Sequence, residues 1–182
     1  LRAVPSDALA VGVFSHCDKG LQAFTEQAMA LVFVDYGKMV RNKAAIALCD
    51  VGSLTPLLVL ETGRAEADTT AAVADLLAQA DSLKLSTAIV SLDKHNALLL
   101  SPSATVIKVA LRHLASETSI LDAPYFASIE ENGQDFIAYR NRGAGKLFSF
   151  SLQGVDPKKL TSFVRDAAEW TVVTGDKISL VS

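Results

Sequence analysis

This sequence has little of what usually identifies a protein's function. It contains two cysteines in 182 residues, too few for a disulfide framework, and neither belongs to a Cys-x-x-Cys pair. No apolar run approaches the roughly 20 residues that a bilayer-spanning helix needs. The net charge is −3, which gives no reason to expect a basic nucleic-acid-binding face. Disulfide-stapled miniproteins, membrane-spanning segments and nucleic-acid binders are therefore all disfavoured for this stretch.

Catalytic signatures are lacking as well. There is no Gly-x-Ser-x-Gly elbow, no Gly-x-Gly-x-x-Gly loop, no His-Glu-x-x-His pair and no acid-rich calcium loop. The segment 142–146 superficially resembles a phosphate-binding loop, but Arg140 stands where that loop has its first glycine, and Leu147 follows Lys146 in place of Ser or Thr. We predict no cofactor and no metal, and the sequence leans against an enzyme without deciding the question.

What the chain does have is hydrophobic periodicity. Half of its residues are hydrophobic and 20% are charged, which is the composition of a folded domain. An apolar strand at 57–60 is followed by a segment whose apolar residues recur at steps of three and four, namely Val73, Leu76, Leu77, Ala80 and Leu83. That spacing predicts a helix with one apolar face, which must pack on a sheet. Similar strand-turn-strand-helix patterns recur at 86–115 and 135–169.

Hydrophobic periodicity and turn residues predict the remaining elements as well. Further strands are expected at 8–15, 44–50, 88–92, 97–100, 135–141, 147–152, 171–174 and 177–181. A helix with an apolar stripe at 21–31 is predicted, and its continuation to residue 40 is left open because Gly37 and the apolar cluster at 32–34 favour a break. We predict an α+β fold with a mostly antiparallel, partly mixed sheet and helices packed mainly on one face. Residues 1–132 form a first repeat unit and 133–182 the start of a second, truncated unit, which could pack together as one domain.

The two cysteines support three hypotheses. Because a helix separates the first two strands, we expect those strands to be parallel and joined by a right-handed crossover. Cys17 and Cys49 would then lie at the same edge of the sheet, where a disulfide could join them. Alternatively, both are small, half-buried hydrophobic residues. In a third hypothesis Cys17 is a thiolate nucleophile at a helix N-terminus, with a base such as His113 supplied from elsewhere.

A basic, aromatic rim offers a candidate binding site. It surrounds a predicted turn and consists of Tyr139, Arg140, Arg142, Lys146 and Phe148. These side chains could contact an acidic glycan or a phosphate. The alternative is a solvated sheet edge whose charges discourage strand-to-strand aggregation.

Three segments carry a resemblance to a known family. They are residues 100–126, with Arg112-His113-Leu114 ending a helix, the opening residues 1–8, and Ala168-Glu169-Trp170. They resemble an uncharacterised family of extracytoplasmic proteins from Bacteroides-type gut bacteria, usually tethered by an N-terminal membrane anchor. The resemblance implies a location in the periplasm or on the cell surface, a longer parent protein, and contact with the membrane only through an anchor outside this sequence. It implies no activity.

Together these observations favour a non-catalytic interaction or scaffold module of a bacterial cell-envelope protein. Its expected partner is another envelope protein or a glycan. The alternatives are a hydrolase acting on envelope polymers or glycans, and a small-ligand-binding domain that uses the region of Tyr139 and Phe148. A cleft with two or more titratable residues of perturbed pKa would favour the enzyme, whereas a flat or apolar exposed patch would favour the interaction module.

Overall fold

The computed structural model describes residues 2–15, 19–63, 67–92, 95–116, 119–120, 124–131, 133–140 and 169–181. The strands are β1 (Ala10–Phe14), β2 (Val40–Asp50), β3 (Leu54–Thr62), β4 (Ser86–Ser91), β5 (Asn96–Ser101), β6 (Phe136–Arg140), β7 (Trp170–Thr174) and β8 (Lys177–Val181). The helices are α1 (Lys19–Met29), α2 (Tyr36–Met39), α3 (Ala67–Ser82), α4 (Ala104–Ala115) and α5 (Pro124–Glu131). The α+β class is thus confirmed, and the predicted strand 147–152 and the last predicted helix lie outside the described residues.

The eight strands form one sheet in the order β4-β5-β3-β2-β1-β6-β7-β8. Every strand pairing in the described part of the chain is antiparallel. The expected parallel pairing of β1 and β2 is therefore wrong: Ala10 lies opposite Leu48 and Phe14 opposite Ala44. Two helices and a loop return the chain in the opposite direction, which the presence of a connecting helix alone could not reveal.

Helices cover both faces of the sheet. Helices α4 and α5 pack on one face, which we call the α4 face, and α1, α2 and α3 pack on the other, the α3 face. In β3 the alternation is regular, because Leu57 and Val59 belong to the α4 face and Leu58 and Leu60 to the α3 face. The residues of β3 from position 55 to position 62 are all buried, as expected for a central strand that is covered on both sides.

The N-terminal residues before β1 form an entry segment that packs on the α4 face. Ala3, Val4 and Ala8 are buried there. The Leu9 N–H donates to the Leu48 carbonyl, and the Arg140 N–H donates to the Leu9 carbonyl. The entry segment is thereby held between β2 and β6, at the end of the sheet where β1 begins.

Strands from both predicted repeat units lie in this single sheet, since β6 pairs with β1. Two pairs of successive strands form hairpins at the two ends of the strand order. One joins β4 to β5, and the other joins β7 to β8 around Gly175 and Asp176. Among the described helices, none combines the length and the apolar character needed to cross a membrane.

Candidate functional site

Only two residues of the predicted basic rim fall in the described part of the chain. Arg142, Lys146 and Phe148 lie outside it. Tyr139 is 6% exposed, and its hydroxyl has no hydrogen-bond partner among the residues that the structure describes. Burial raises the pKa of the Tyr139 phenol to about 12. The residue therefore belongs to the packed interior of the sheet and offers no surface to a glycan.

Arg140 holds together three segments that are distant in sequence. Its Nη2 donates to the Ser6 carbonyl at 3.0 Å and to the Glu169 carboxylate at 3.1 Å. Its guanidinium carbon lies 4.9 Å from the centre of the Trp170 ring, within the range of a cation–π contact. The side chain thus connects the entry segment and the start of β7 to β6, and its donors are directed into the protein.

His113 brings a serine and an aspartate to the same place. Its Nδ1 lies 3.4 Å from the Ser6 hydroxyl, and its Nε2 lies 3.6 Å from an Asp7 carboxylate oxygen. A serine on one imidazole nitrogen and a carboxylate on the other is the connectivity of a hydrolytic triad. Both distances exceed the roughly 2.6–3.2 Å of a working proton relay, and the Asp7 side chain is 68% exposed. The contacts fasten the end of α4 to the entry segment.

We call these residues together the Arg140 seam: Ser6, Asp7, His113, Arg140, Glu169 and Trp170. Trp170 extends the seam into the core, because its ring makes an edge-to-face contact with Phe126 at 5.7 Å. Such aromatic pairs stabilise by about 0.5–1.5 kcal/mol beyond the area they bury. The polar contacts of the seam join its side chains to one another and to the backbone, although the buried Arg140 Nε has no partner among the described residues. This arrangement supports a structural role.

Cys49 is buried beside the seam as a free thiol. Burial, with a smaller contribution from the charge of Asp7, raises the pKa of the thiol to about 12. Cys49 is therefore protonated and unreactive at neutral pH. Cys49 forms no disulfide in the structure. Cys17 lies outside the described residues, so its role as a catalytic thiolate remains a prediction. The antiparallel pairing of β1 with β2 removes the original reason for the disulfide, because the end of β1 lies at the opposite end of β2 from Cys49.

A second polar cluster occupies the other end of the sheet. Glu61 is 2% exposed on β3, and the His95 Nε2 lies 3.5 Å from its carboxylate without forming a hydrogen bond. Lys43 on β2 is also buried. It precedes Ala44, which pairs with Leu60, the residue before Glu61 on β3. Among the described residues no three His, Cys, Asp or Glu side chains converge to hold a metal. A buried carboxylate beside basic groups is accordingly assigned to the framework.

The most unusual local structure is the loop between α1 and α2, residues 30–35, which we call the Phe33 loop. Phe33 is 96% exposed and has φ of 56°, in the left-handed region. The loop rises between two buried residues, Leu31 and Tyr36, and the Tyr36 hydroxyl donates to the Thr25 hydroxyl at 2.7 Å. Both ends of the loop are therefore fixed to the core while its apolar tip stands in solvent.

Helix endings account for the other non-glycine residues with left-handed backbone in the described part of the chain, Ala30 and Lys84, but not for Phe33. Lys84 follows α3, where the Lys84 N–H donates to Asp81 and the Leu85 N–H donates to Ala80, the hydrogen bonds of a Schellman motif. Ala30 directly follows α1 and donates to Glu26. Phe33 ends no helix, and a bulky residue in this region is a true outlier. Backbone strain of this kind costs on the order of 1–3 kcal/mol and persists only where the surroundings enforce it.

Gln79 of α3 holds the loop in this conformation. The Val32 N–H donates to the Gln79 Oε1 at 2.9 Å, and the Gln79 Nε2 donates to the Val32 carbonyl at 2.9 Å. One amide side chain thus satisfies both backbone groups of the residue before Phe33. On the other side, the Asp35 side chain accepts from the Lys38 N–H and forms an ion pair with Lys38 at 3.0 Å, which lowers the pKa of the carboxyl.

A hollow of about 370 Å³ lies next to the exposed ring. The loop and the first part of α2 form one wall, and α3 forms the other; its lining is Phe33, Val34, Asp35, Lys38, Ala71, Ala72, Asp75, Leu76 and Gln79. The exposed Phe33 ring and this hollow form one continuous surface. A partner that covered the surface would meet an apolar centre with charged residues around it, which is the usual anatomy of a binding interface.

Two further hollows carry no comparable feature. One, of about 610 Å³, lies between α5 and the turn that joins β7 to β8, and the other, of about 210 Å³, lies between α3 and β4.

Comparison of this chain with family models, with curated proteins and with solved structures finds no match. The fold and the exposed loop therefore define a class only: an antiparallel α+β protein with a clamped aromatic knob.

Sequence reasoning missed the exposure of Phe33. The apolar triplet at 32–34 resembles core, and nothing in residue type or spacing shows that the middle side chain points outward. The available signal was the apolar cluster at 32–34, which favoured a break and falls in the non-helical segment between α1 and α2. Gly37, the other residue that favoured a break, lies inside α2. An apolar residue in a break between helices deserves consideration as a surface anchor.

Proposed function

We propose that this chain is a non-catalytic interaction module of a bacterial cell-envelope protein, and that Phe33 is the residue it inserts into its partner. The observation that carries the proposal is the fully exposed ring on a strained, clamped backbone. Buried aromatic anchors dominate the energetics of protein interfaces. Burying this ring against a partner would contribute about 1.5–3 kcal/mol.

The hydrogen bonds between Gln79 and Val32 and the contact between Asp35 and Lys38, which we together call the clamp, give the proposal its second support. A loop that is ordered before binding avoids the entropy of becoming ordered, about 0.5–1.5 kcal/mol for each immobilised side chain. Gln79 fixes the residue before Phe33, and the Asp35–Lys38 contact fixes the residues after it. The Phe33 ring contributes little to the packing of the fold, because it is almost fully in solvent.

The cell-envelope assignment rests on the family resemblance of residues 1–8 and 100–126. In this proposal the module faces the periplasm or the exterior and is carried by a longer, membrane-anchored parent. Its partner is another envelope protein, since an aromatic knob beside a mixed-charge hollow fits a protein surface. A glycan ligand is less well supported, because Tyr139 is buried and Arg140 is engaged internally.

One observation favours a second candidate function. The contacts of His113 with Ser6 and Asp7 have the connectivity of an acyl hydrolase, whose substrates in an envelope would be ester- or amide-bearing polymers. Purified protein should then cleave an acylated envelope polymer, and Ser6→Ala should abolish the cleavage. Our leading proposal expects no turnover by either protein, and turnover that depends on Ser6 would replace it.

Photo-crosslinking tests the leading proposal. A benzophenone amino acid placed at position 33 of the full-length parent protein in its own envelope should give one discrete adduct on illumination. The matched control is the same amino acid at Leu111, an exposed apolar position on α4. The absence of an adduct at position 33, or the same adduct from both positions, would contradict the assignment of Phe33 as the anchor.

A further inference from the structure

Strand β4 is an edge of the sheet without the usual protection. Among the described strands it pairs with β5 alone. Natural edge strands carry lysine, proline or a bulge that discourages pairing with another chain. The six residues Ser86–Ser91 include no charged residue and no proline, and their register with β5 is unbroken. The edge is thus a regular, neutral, β-forming strand.

The hydrogen-bond pattern shows which backbone groups this edge presents. In the turn between β4 and β5 the Leu92 N–H donates to the His95 carbonyl at 2.9 Å. Hydrogen-bonded and non-hydrogen-bonded pairs alternate along an antiparallel ladder. Counting back from Leu92, the residues whose N–H and C=O groups point away from β5 are Thr87, Ile89 and Ser91. The side chains of the same three residues are exposed.

We infer that β4 pairs with β4 of a second copy of this chain, antiparallel and with Ile89 on the two-fold axis. In that register Ile89 lies opposite Ile89, Thr87 opposite Ser91, and Ala88 opposite Val90. Each pair matches in kind: two branched apolar residues, two hydroxyls, and two apolar residues on the α4 face. In this register residues 87, 89 and 91, whose backbone groups point away from β5, occupy the hydrogen-bonded positions. The matching of side chains and the backbone hydrogen bonding therefore select the same alignment.

The strand is self-complementary, as a two-fold interface requires. Ile89 is 55% exposed and lines the hollow between α3 and β4 together with Val73 and Leu98. The second copy would supply an Ile89 side chain to that side of the joined sheet. Cross-strand apolar and hydroxyl pairs contribute roughly 0.2–1 kcal/mol each, so we expect a small, reversible dimer. This surface is separate from the Phe33 loop, and the inference stands whether or not Phe33 binds a partner.

Sedimentation equilibrium tests the dimer. The wild-type chain should show a monomer–dimer equilibrium between about 5 µM and about 500 µM, a range suited to small interfaces. Ile89→Lys would place two like charges opposite each other on the two-fold axis and should weaken dimerisation at least tenfold (about 1.4 kcal/mol). The matched control is Leu180→Lys on β8, at the other edge, where the residue is 39% exposed; it should leave the equilibrium unchanged.

Cysteine crosslinking tests the register without a destabilising charge. In a Cys17→Ser background Ile89→Cys should form a disulfide dimer on mild oxidation, since Cα atoms of a hydrogen-bonded pair are about 5.5 Å apart. Thr87→Cys should not, because its two copies would lie about 14 Å apart. A monomer throughout the concentration range, a dimer insensitive to Ile89→Lys, or equal crosslinking at positions 87 and 89 would each overturn the inference. A dimer lost in Phe33→Ala but retained in Ile89→Lys would move the contact to the Phe33 loop.

Discussion

The Arg140 seam gathers an arginine, a histidine and two carboxylates within contact distance, whereas the Phe33 loop presents one uncharged ring that contacts almost nothing. The seam has the residues associated with chemistry, but its hydrogen bonds and its cation–π contact bind the entry segment, β6 and β7 to one another. The tip of the loop has no reactive group, but its backbone is strained and its side chain is exposed. In this molecule the reactive residue types of the seam hold the fold together, and the departure from favourable local structure at Phe33 is the feature on which our proposed function rests.

The largest expected effect is in the seam. Arg140→Ala removes a charged hydrogen bond to the Ser6 carbonyl, worth about 1.5–3 kcal/mol, and a cation–π contact of about 0.5–2 kcal/mol. We expect a loss of about 3 kcal/mol in the free energy of unfolding and a fall of roughly 6–12 °C in the melting temperature, measured by urea and thermal unfolding.

Glu169→Gln is the control for this change, because it removes only a half-exposed ion pair. It should cost less than about 1 kcal/mol. An Arg140→Ala protein as stable as the wild type would show that the seam is not structural, and the hydrolase would then deserve a direct search.

The clamp is expected to give the next-largest effect on the free energy of unfolding. Gln79→Ala removes two hydrogen bonds to Val32, and we expect a loss of about 1–2 kcal/mol together with a lower crosslinking yield from position 33. Gln22→Ala is the matched control: it removes an exposed hydrogen bond to Glu26 within α1 and should stay within about 0.5 kcal/mol of wild type. An unchanged crosslinking yield in Gln79→Ala would mean that the loop needs no clamp.

Tyr139→Phe tests whether the Tyr139 hydroxyl is buried without a partner or engaged in a binding site. The hydroxyl is buried without a partner, so its removal should raise the stability at neutral pH by about 1 kcal/mol. Because the folded-state pKa values of Tyr139 and Cys49 are raised to about 12 from 10.0 and 9.0, their contribution to stability is complete below pH 9 and is lost as the pH rises toward 12.

The alkaline loss of stability above pH 10 should accordingly be shallower in Tyr139→Phe than in wild type. Urea midpoints measured at intervals between pH 7 and pH 11 give both results. A destabilised variant at neutral pH would show that the hydroxyl has a partner in solution, and the proposed rim would regain support.

Periodicity predicted much of the fold. The apolar steps along α3, the β4–β5 hairpin and the β7–β8 hairpin were readable because each depends on local spacing and turn residues. The direction of β1 relative to β2 was not readable, since it depends on how α1, the Phe33 loop and α2 pack between the two strands. The role of Arg140 was misread for a related reason: its partners Ser6 and Glu169 are 134 and 29 residues away. Phe33 was missed because exposure is decided by the fold, and residue type alone favours burial.

The most direct test of the central claim is the free energy of unfolding of Phe33→Gly. Glycine adopts positive φ without the cost of about 1–2 kcal/mol that other residues bear, and an exposed ring has no burial to lose. The account predicts a gain of about 1 kcal/mol, in the same direction as Ala30→Gly, which relieves left-handed backbone at the end of α1. A loss of 1 kcal/mol or more on Phe33→Gly would show that the ring packs against the protein in solution, and it would contradict the assignment of Phe33 as a presented anchor.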